Sequence, residues 1–200
     1  SEMSGIIVDD GLSRDYPFGK QMSHVLGYVA AVSEKDLKED SDPLLETPGF
    51  KIGRIGLEKK YEHQLRGKGG NLKLEVNAVG RIMKEIERED GTAGEKLQLT
   101  IDSRLQQKAY DLFGEQSGAA VLMDVNSGEI LTFISMPSYD SNDFVQGVSQ
   151  DLYSKLLYDE KQPLINKAIA GRYSPVSSFK MIVALAALEA GVITKDTTVS

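Results

Sequence analysis

Ser177-Ser178-Phe179-Lys180 spells S-x-x-K, a pairing in which a serine hydroxyl serves as acyl-transfer nucleophile and a lysine can take its proton. Three residues on a helix is close to one turn, so the stem of Lys180 can reach back toward the Ser177 hydroxyl. A serine on the first turn also meets unpaired backbone N–H groups and the positive end of the helix dipole, which favour an oxyanion. Burial in an apolar helix would move the lysine toward the proton affinity a base needs. With 18 serines and 16 lysines in 200 residues, about one such spacing arises by chance, so the tetrapeptide alone fits a capping serine and a snorkelling lysine equally well.

Other candidate chemistry is weaker. Asp124-Val125-Asn126-Ser127-Gly128-Glu129 has the opening of a calcium loop but lacks the later ligands, and a hairpin turn is the better reading. Gly67-Lys68-Gly69-Gly70 could cradle an anion, yet no P-loop spacing follows and a surface turn is the default. Glu58 with Glu62, and Glu85 with Glu89, are like charges at i, i+4 that are expected to face solvent. His24 and His63 have no ligand-type spacing, and neither belongs to a motif that would build a Ser-His-Asp arrangement. The chain has no cysteine, which removes disulfides, thiolate nucleophiles and zinc-thiolate sites together.

The composition bounds the rest. Apolar residues make up 40% and charged residues 26% of the chain, which is globular rather than disordered. The net charge of −7 is spread evenly: residues 1–95 carry 14 basic and 18 acidic side chains, and the remainder 9 and 12. Neither half has the basic stripe that nucleic acid requires, so no nucleic-acid partner is expected. No apolar run is long enough to cross a bilayer, and the start at Ser1-Glu2-Met3 lacks a signal pattern and reads as a cut from something longer.

The elements that would position Ser177 follow from periodicity. Near Glu95 the composition changes from glycine-punctuated short runs to cleaner elements. In the first part, a helix is expected from Ser33 to Leu37 and another from Glu58 to Leu65, with a strand over Leu72 to Val79; Lys38 to Asp42 reads as a solvated acidic face. In the second, Leu97 to Ile101 reads as a strand and Asp102 as the cap of a helix whose apolar face is Leu105, Ala109, Leu112 and Phe113. Ala119–Asp124 and Glu129–Ser135 flank a turn as a β-hairpin. Helices follow at Ser149–Leu157 and in a short segment over Pro163–Ala170. Phe179 to Ala190 is apolar on nearly every face, reads as a buried core helix and is capped by Gly191.

Its surroundings raise the serine motif above chance. Pro163-Leu164-Ile165-Asn166-Lys167-Ala168-Ile169, then Tyr173-Ser174-Pro175-Val176-Ser177-Ser178-Phe179-Lys180, resembles class B penicillin-binding proteins, where P-L-x-N-[RK]-A precedes Y-x-P-G-S-T-F-K. The resemblance extends through Leu99-Thr100-Ile101-Asp102, Leu105-Gln106, Asp124 to Ile130, and Ser135-Met136-Pro137-Ser138-Tyr139-Asp140 with Asn142 and Phe144. Upstream, Arg14, Tyr16-Pro17, Gly19, His24-Val25-Leu26-Gly27-Tyr28, Gly56-Leu57-Glu58, Tyr61, Leu65 and Gly67 resemble the family's pedestal. The pattern is most similar to the elongation-specific D,D-transpeptidases of rod-shaped bacteria.

The resemblance implies an α+β chain: residues 1–95 a β-rich, elongated, non-catalytic dimerisation-type pedestal, and residues 96–200 the N-terminal portion of a transpeptidase domain. It implies that Ser177 attacks the D-Ala-D-Ala carbonyl of peptidoglycan stem peptides, that Lys180 accepts its proton, and that β-lactams are trapped at the same step. No cofactor and no metal are implied. The implied partners are a SEDS-family glycan polymerase and a rod-shape scaffold protein, and the implied location is the periplasmic face of the inner membrane, held by an anchor.

Two departures matter. Val176 stands where the family has glycine, and a β-branched residue is not expected to take the positive φ glycine can supply. Ser178 for threonine is milder. The family's S-x-N and K-[TS]-G motifs do not occur in these 200 residues, so the chain is expected to be an incomplete transpeptidase with little or no turnover and with unpaired sheet edges. The rival reading is a non-catalytic scaffold of the cell-wall elongation machinery. A minimal penicillin-hydrolysing relative is disfavoured by the long region ahead of the motif.

Overall fold

The computed structural model describes residues 13–198. The chain divides into two compact units at Ile169/Ala170. It is an α+β protein whose strands form three two-stranded antiparallel sheets among the described residues.

The first unit opens with helix α1 (Gly19–Leu26), which ends at Gly27. Gly27 has a φ of 79° and its position faces Gly56 so closely that a side chain would collide with the Ile55 carbonyl, so only glycine fits. Strand β1 (Val29–Ala31) follows and pairs with β2 (Lys51–Gly53). Between them lie α2 (Glu34–Glu39) and a 3-10 turn at Pro43–Glu46. The helix expected after Ser33 is present and closed by a capping box, in which the Ser33 side chain meets the Asp36 N–H and the Asp36 carboxylate meets the Ser33 N–H. That bonding, the Ser33 hydroxyl first, holds the Asp36 carboxyl down at about 2.

The helix expected over Glu58–Leu65 is two short ones, α3 (Gly56–Lys60) and α4 (Glu62–Arg66), interrupted at Tyr61. The expectation that Glu58 and Glu62 face solvent fails. Glu58 is buried, receives Arg14 through Nε at 2.9 Å and Nη2 at 3.0 Å, and accepts from the Tyr16 hydroxyl at 3.2 Å. Glu62 pairs at 2.6 Å with Arg66, whose side chain is only 4% exposed and which also reaches Asp40 at 2.7 Å and Asp42 at 2.9 Å. Two residues of the expected acidic solvated face thus hold a buried guanidinium, because a buried arginine must find acceptors for its N–H groups.

Strands β3 (Asn71–Val76) and β4 (Ile82–Glu89) form a ribbon with every residue exposed. The expected strand stops at Val76 because the Asn77 side chain accepts from the Val79 and Arg81 N–H groups and starts the turn. Glu85 and Glu89 are exposed as expected, but on a strand and not a helix. In the Gly67–Gly70 segment the Lys68 N–H is not free for an anion: it donates to Thr92 O, and the Thr92 N–H returns the bond.

Residues 97–101 run without a strand ladder, against expectation; Thr100 and Asp102 instead hydrogen-bond the carbonyls of Ile130 and Leu131. Asp102 caps α5 (Ser103–Phe113), accepting from the Arg104 and Leu105 N–H groups. The hairpin forms as read, with β5 (Gly118–Met123) against β6 (Ile130–Met136) and the Asp124 carboxylate accepting from Asn126 and Ser127 at 2.8 Å. Helices α6 (Asn142–Val145), α7 (Gln150–Tyr158, capped by Ser149) and α8 (Lys167–Ala170) complete the order up to the nucleophile segment.

The core of this unit is built on α1 and β6. Tyr16, Val29 and Val145 pack together with Leu26 and Tyr28. Phe144 stacks on Tyr28 with ring centres 4.2 Å apart, and Tyr139 meets Tyr28, Phe144 and His24 edge-on.

Side chains distant in sequence then collect the backbone carbonyls around the end of α1. Gln106 donates to Gln21 O at 2.7 Å, Tyr139 to Ser23 O at 3.1 Å, Asn166 to His24 O at 3.0 Å and Ser141 to Gly27 O at 2.7 Å. Asn142 brackets Tyr16, accepting from its N–H and donating to its carbonyl. A helix end leaves carbonyls without a partner in the helix, and here Asn166 meets one of them at His24, while Tyr139 joins the Gly27 N–H on Ser23 O.

Candidate active site

Helix α9 (Ser178–Glu189) lies in the second unit and begins where the sequence placed it, with Ser177 in the N-cap position. A serine acting as a cap sits in extended backbone and bonds the N–H two or three residues on. Ser177 does neither. Its φ of −65° and ψ of −19° are helical, and its side chain makes no capping hydrogen bond. The hydroxyl is exposed and uncommitted. Lys180 is exposed one turn along, and no hydrogen bond joins the two side chains among the described residues.

The backbone before Ser177 is tightly wound. Ser178 donates to Pro175 O at 3.0 Å, Phe179 to Val176 O at 3.3 Å and Lys180 to Ser177 O at 3.2 Å. These three N–H groups were expected to be unpaired and are not, because a turn of i to i+3 bonds precedes the α-helix and uses them. The N–H of Ser177 itself has no protein acceptor among the described residues. Val176 takes a φ of 42°, a left-handed conformation that a β-branched residue was not expected to adopt. The successive turn bonds hold it there, at a cost of about 1–2 kcal/mol relative to glycine's freedom.

The core-helix expectation for α9 is corrected. Phe179, Met181, Ile182, Val183, Leu185 and Leu188 are between 41% and 68% exposed, and no residue of the helix is buried. A helix apolar on all sides still needs cover on all sides, and the residues of its own unit do not provide it. Lys180 is exposed within this unit and does not have the apolar surroundings expected of it.

Upstream of the nucleophile, the P-L-x-N-K-A run is fixed in place. Lys167 is buried, its N–H donating to the Ser135 hydroxyl at 2.9 Å and its ammonium to Gln162 O at 2.9 Å. Burial pulls its proton affinity down, against the opposing pull of Asp159. Gln162 carries a φ of 50° in the same turn. His24, set aside for lack of ligand spacing, is driven down to about 4 by burial, and its Nε2 has no hydrogen-bond partner among the described residues. Nothing in the spacing of His24, Gln106 or Lys167 marks these roles: the Gln106 amide meets backbone groups 27 and 85 residues away, the Lys167 N–H meets the Ser135 hydroxyl, and His24 packs on Tyr139.

Comparison with known proteins now bears on the site. The family model of the penicillin-binding protein dimerisation domain matches residues 1–99, and that of the penicillin-binding protein transpeptidase domain matches residues 118–200. The chain belongs to the penicillin-binding proteins. The transpeptidase match contains Ser177 and Lys180.

This penicillin-binding protein is 39% identical over 198 residues to the peptidoglycan D,D-transpeptidase MrdA of Salmonella typhimurium, covering 98% of this chain and 32% of that protein. It superposes on PBP2 of Helicobacter pylori, solved in complex with MreC, with a TM-score of 0.79 and 40% identity over 94% of this chain and 34% of that one. Against Pseudomonas aeruginosa PBP2 in complex with WCK 5153 the TM-score is 0.77, with 34% identity over 92% of this chain and 37% of that one. The chain spans about a third of the length of the curated relatives it matches. No helix among the described residues is long and apolar enough to cross a membrane.

Proposed function

We propose that this penicillin-binding protein is a peptidoglycan D,D-transpeptidase of the elongation type, with Ser177 as nucleophile and Lys180 as its base. The observation that carries the reading is the Ser177 hydroxyl: at the start of α9, inside the matched transpeptidase region, it is free of the capping bond that would otherwise explain it.

The Ser177 Oγ attacks the carbonyl carbon of the penultimate D-alanine, and Lys180 takes its proton. The free Ser177 N–H is one donor for the oxyanion. The C–N bond to the terminal D-alanine breaks, the proton leaves with that amine, and an acyl ester remains on Ser177. The amine of a second stem peptide then attacks the ester, forms the cross-link and returns the hydroxyl. A β-lactam follows the first step and is held as a slowly released ester.

The division of labour follows the same reading: residues 1–95 act as a non-catalytic pedestal and residues 96–200 as the first portion of the transpeptidase domain. S-x-N and K-[TS]-G are absent from the 200 residues, so these residues alone would lack the substrate wall and a second oxyanion donor. Loss of one such donor costs about 3 kcal/mol of transition-state stabilisation, so little or no turnover is expected from them in isolation. The proposed setting is the periplasmic face of the inner membrane, through an anchor. The proposed partners are a SEDS-family glycan polymerase and a rod-shape scaffold protein, the latter supported by the relative solved with MreC.

Intact-protein mass spectrometry after exposing the full-length protein to benzylpenicillin tests the assignment. One penicilloyl adduct is expected, and none in the Ser177→Ala variant. A folded wild-type protein that forms no adduct overturns the enzymatic reading in favour of a scaffold.

A further inference from the structure

A hollow of about 550 Å³ opens on the first unit between the β1–β2 pair and the α6–α7 connection. Its size falls in the range of sites that hold small ligands or a few residues of peptide. The floor is apolar, made by the stacked Tyr28 and Phe144 rings with Val145 and Val148. Ala30, Ala31 and Gly147 keep the rim low, so a peptide backbone can come close.

The charged side chains of the hollow, Lys51 and Arg54, are both cationic. Lys51, Arg54, Gln146, Tyr28 and Tyr153 can all donate, and no aspartate or glutamate lines the hollow, although the chain carries a net charge of −7. Arg54 is already engaged, with Asp36 at 2.8 Å and with the Ala31 carbonyl. The Lys51 ammonium, the Gln146 amide and the hydroxyls of Tyr28 and Tyr153 have no side-chain hydrogen bond or ion pair among the described residues. Four uncommitted donors around an apolar floor call for a carboxylate beside a large apolar side chain.

The edge of β1 is a poorer alternative. Two of its backbone groups are taken, the Val29 N–H by the Tyr16 hydroxyl and the Ala31 carbonyl by Arg54. An added strand would find few donors and acceptors, whereas a side chain entering the hollow needs none of them.

We propose that this hollow is a docking site for an acidic peptide segment of a partner protein, taking one aromatic or large aliphatic side chain onto the Tyr28–Phe144 floor and its neighbouring carboxylate onto Lys51, Gln146 and Tyr153. The site is separate from Ser177 and does not depend on the acyl-transfer reading.

The test is titration of the protein with acetyl-Glu-Phe-Glu-amide, followed by amide and side-chain NMR shifts. Acetyl-Glu-Ala-Glu-amide and acetyl-Lys-Phe-Lys-amide serve as comparators. Saturable shifts confined to Tyr28, Phe144, Val148 and Tyr153 are expected with the first peptide, and binding at least about tenfold weaker with the other two. Two variants at exposed positions check the location: Ala31→Trp narrows the mouth and Gln146→Glu reverses the donor character. Each should weaken the acidic peptide by roughly tenfold while leaving the amide spectrum folded, and Gln146→Glu should improve the lysine peptide. Equal binding of all three peptides, shifts elsewhere on the surface, or indifference to both variants would each sink the proposal.

Discussion

Two hairpins in the first unit have the same topology and opposite fates. In β5–β6 the second strand is covered, with Thr132, Ile134, Ser135 and Met136 all buried. In β3–β4 every residue is exposed, including Leu72, Leu74, Val76, Ile82, Met83 and Ile86. The difference is not apolar content. β6 lies under α5 and α1, and the Gln106 side chain of α5 bonds Phe133 on both sides, accepting from its N–H at 2.9 Å and donating to its carbonyl at 2.8 Å. Among the described residues β3–β4 has its own exposed ion pairs, Lys73 with Glu87 across the strands and Arg88 with Glu85 along β4. An isolated two-stranded ribbon is marginal in water, and exposed ion pairs add little. Burial comes from the neighbour and not from the strand.

The same contrast divides the helices. α5 carries a modest apolar face, yet it is anchored by one buried amide; α9 is far more apolar and has no buried residue.

The largest effect that would break this comparison is at Gln106. Gln106→Leu should leave Phe133 O and Phe133 N without partners, strip the second bond from Gln21 O, and cost on the order of 3–5 kcal/mol in urea unfolding. A loss below about 1 kcal/mol would mean that the hairpin is held by apolar contact alone. Next is His24, packed edge-on against Tyr139 beneath the same layer. Its ordinary value of 6.5 falls to about 4 in the folded protein, with burial as the main cause. Below pH 6.5 the unfolded chain takes up a proton that the folded state refuses, so stability is full above that pH and falls as the pH drops toward 4. The total is about 3 kcal/mol, and His24→Phe should flatten that part of the pH–stability curve.

Smaller effects sharpen the contrast. Val176→Gly should relieve the left-handed strain before Ser177 and stabilise the second unit by about 0.5–1 kcal/mol, read from hydrogen exchange of the first-turn amides of α9. Val176→Ala should gain less, since alanine keeps most of the strain. Smallest of all, Ile86→Thr on the bare ribbon should change the unfolding free energy by no more than about 0.5 kcal/mol. A larger loss would show that the ribbon is covered in solution.

Much of the secondary structure was legible beforehand. The caps at Ser33, Asp102 and Ser149, the turn at Asp124–Gly128 and the span of α9 each depend on residues within about four positions of one another, so local chemistry states them. The Ser177–Lys180 motif was legible on the same ground, and the family's flanking motifs gave it weight. Two failures share one cause. Glu58 and Glu62 were read as solvent-facing from their repulsion along the helix, whereas Arg14 and Arg66 draw both inward. Leu105 and Leu112 were read as the buried face of α5, but they are 41% and 73% exposed and Gln106 is 1% exposed.

The sequence by itself determined the alternation of elements, the turn chemistry, the place of the candidate nucleophile and the family, since these rest on local spacing and on motif order. Only the tertiary structure decided that a glutamine, and not a leucine, would be the buried residue of α5, that a valine would accept a positive φ ahead of Ser177, and that donors from residues 106–166 would close the end of α1. Those outcomes depend on which distant groups meet. A hydrogen-bond donor buried against an orphan carbonyl leaves no period or pattern along the chain that holds it.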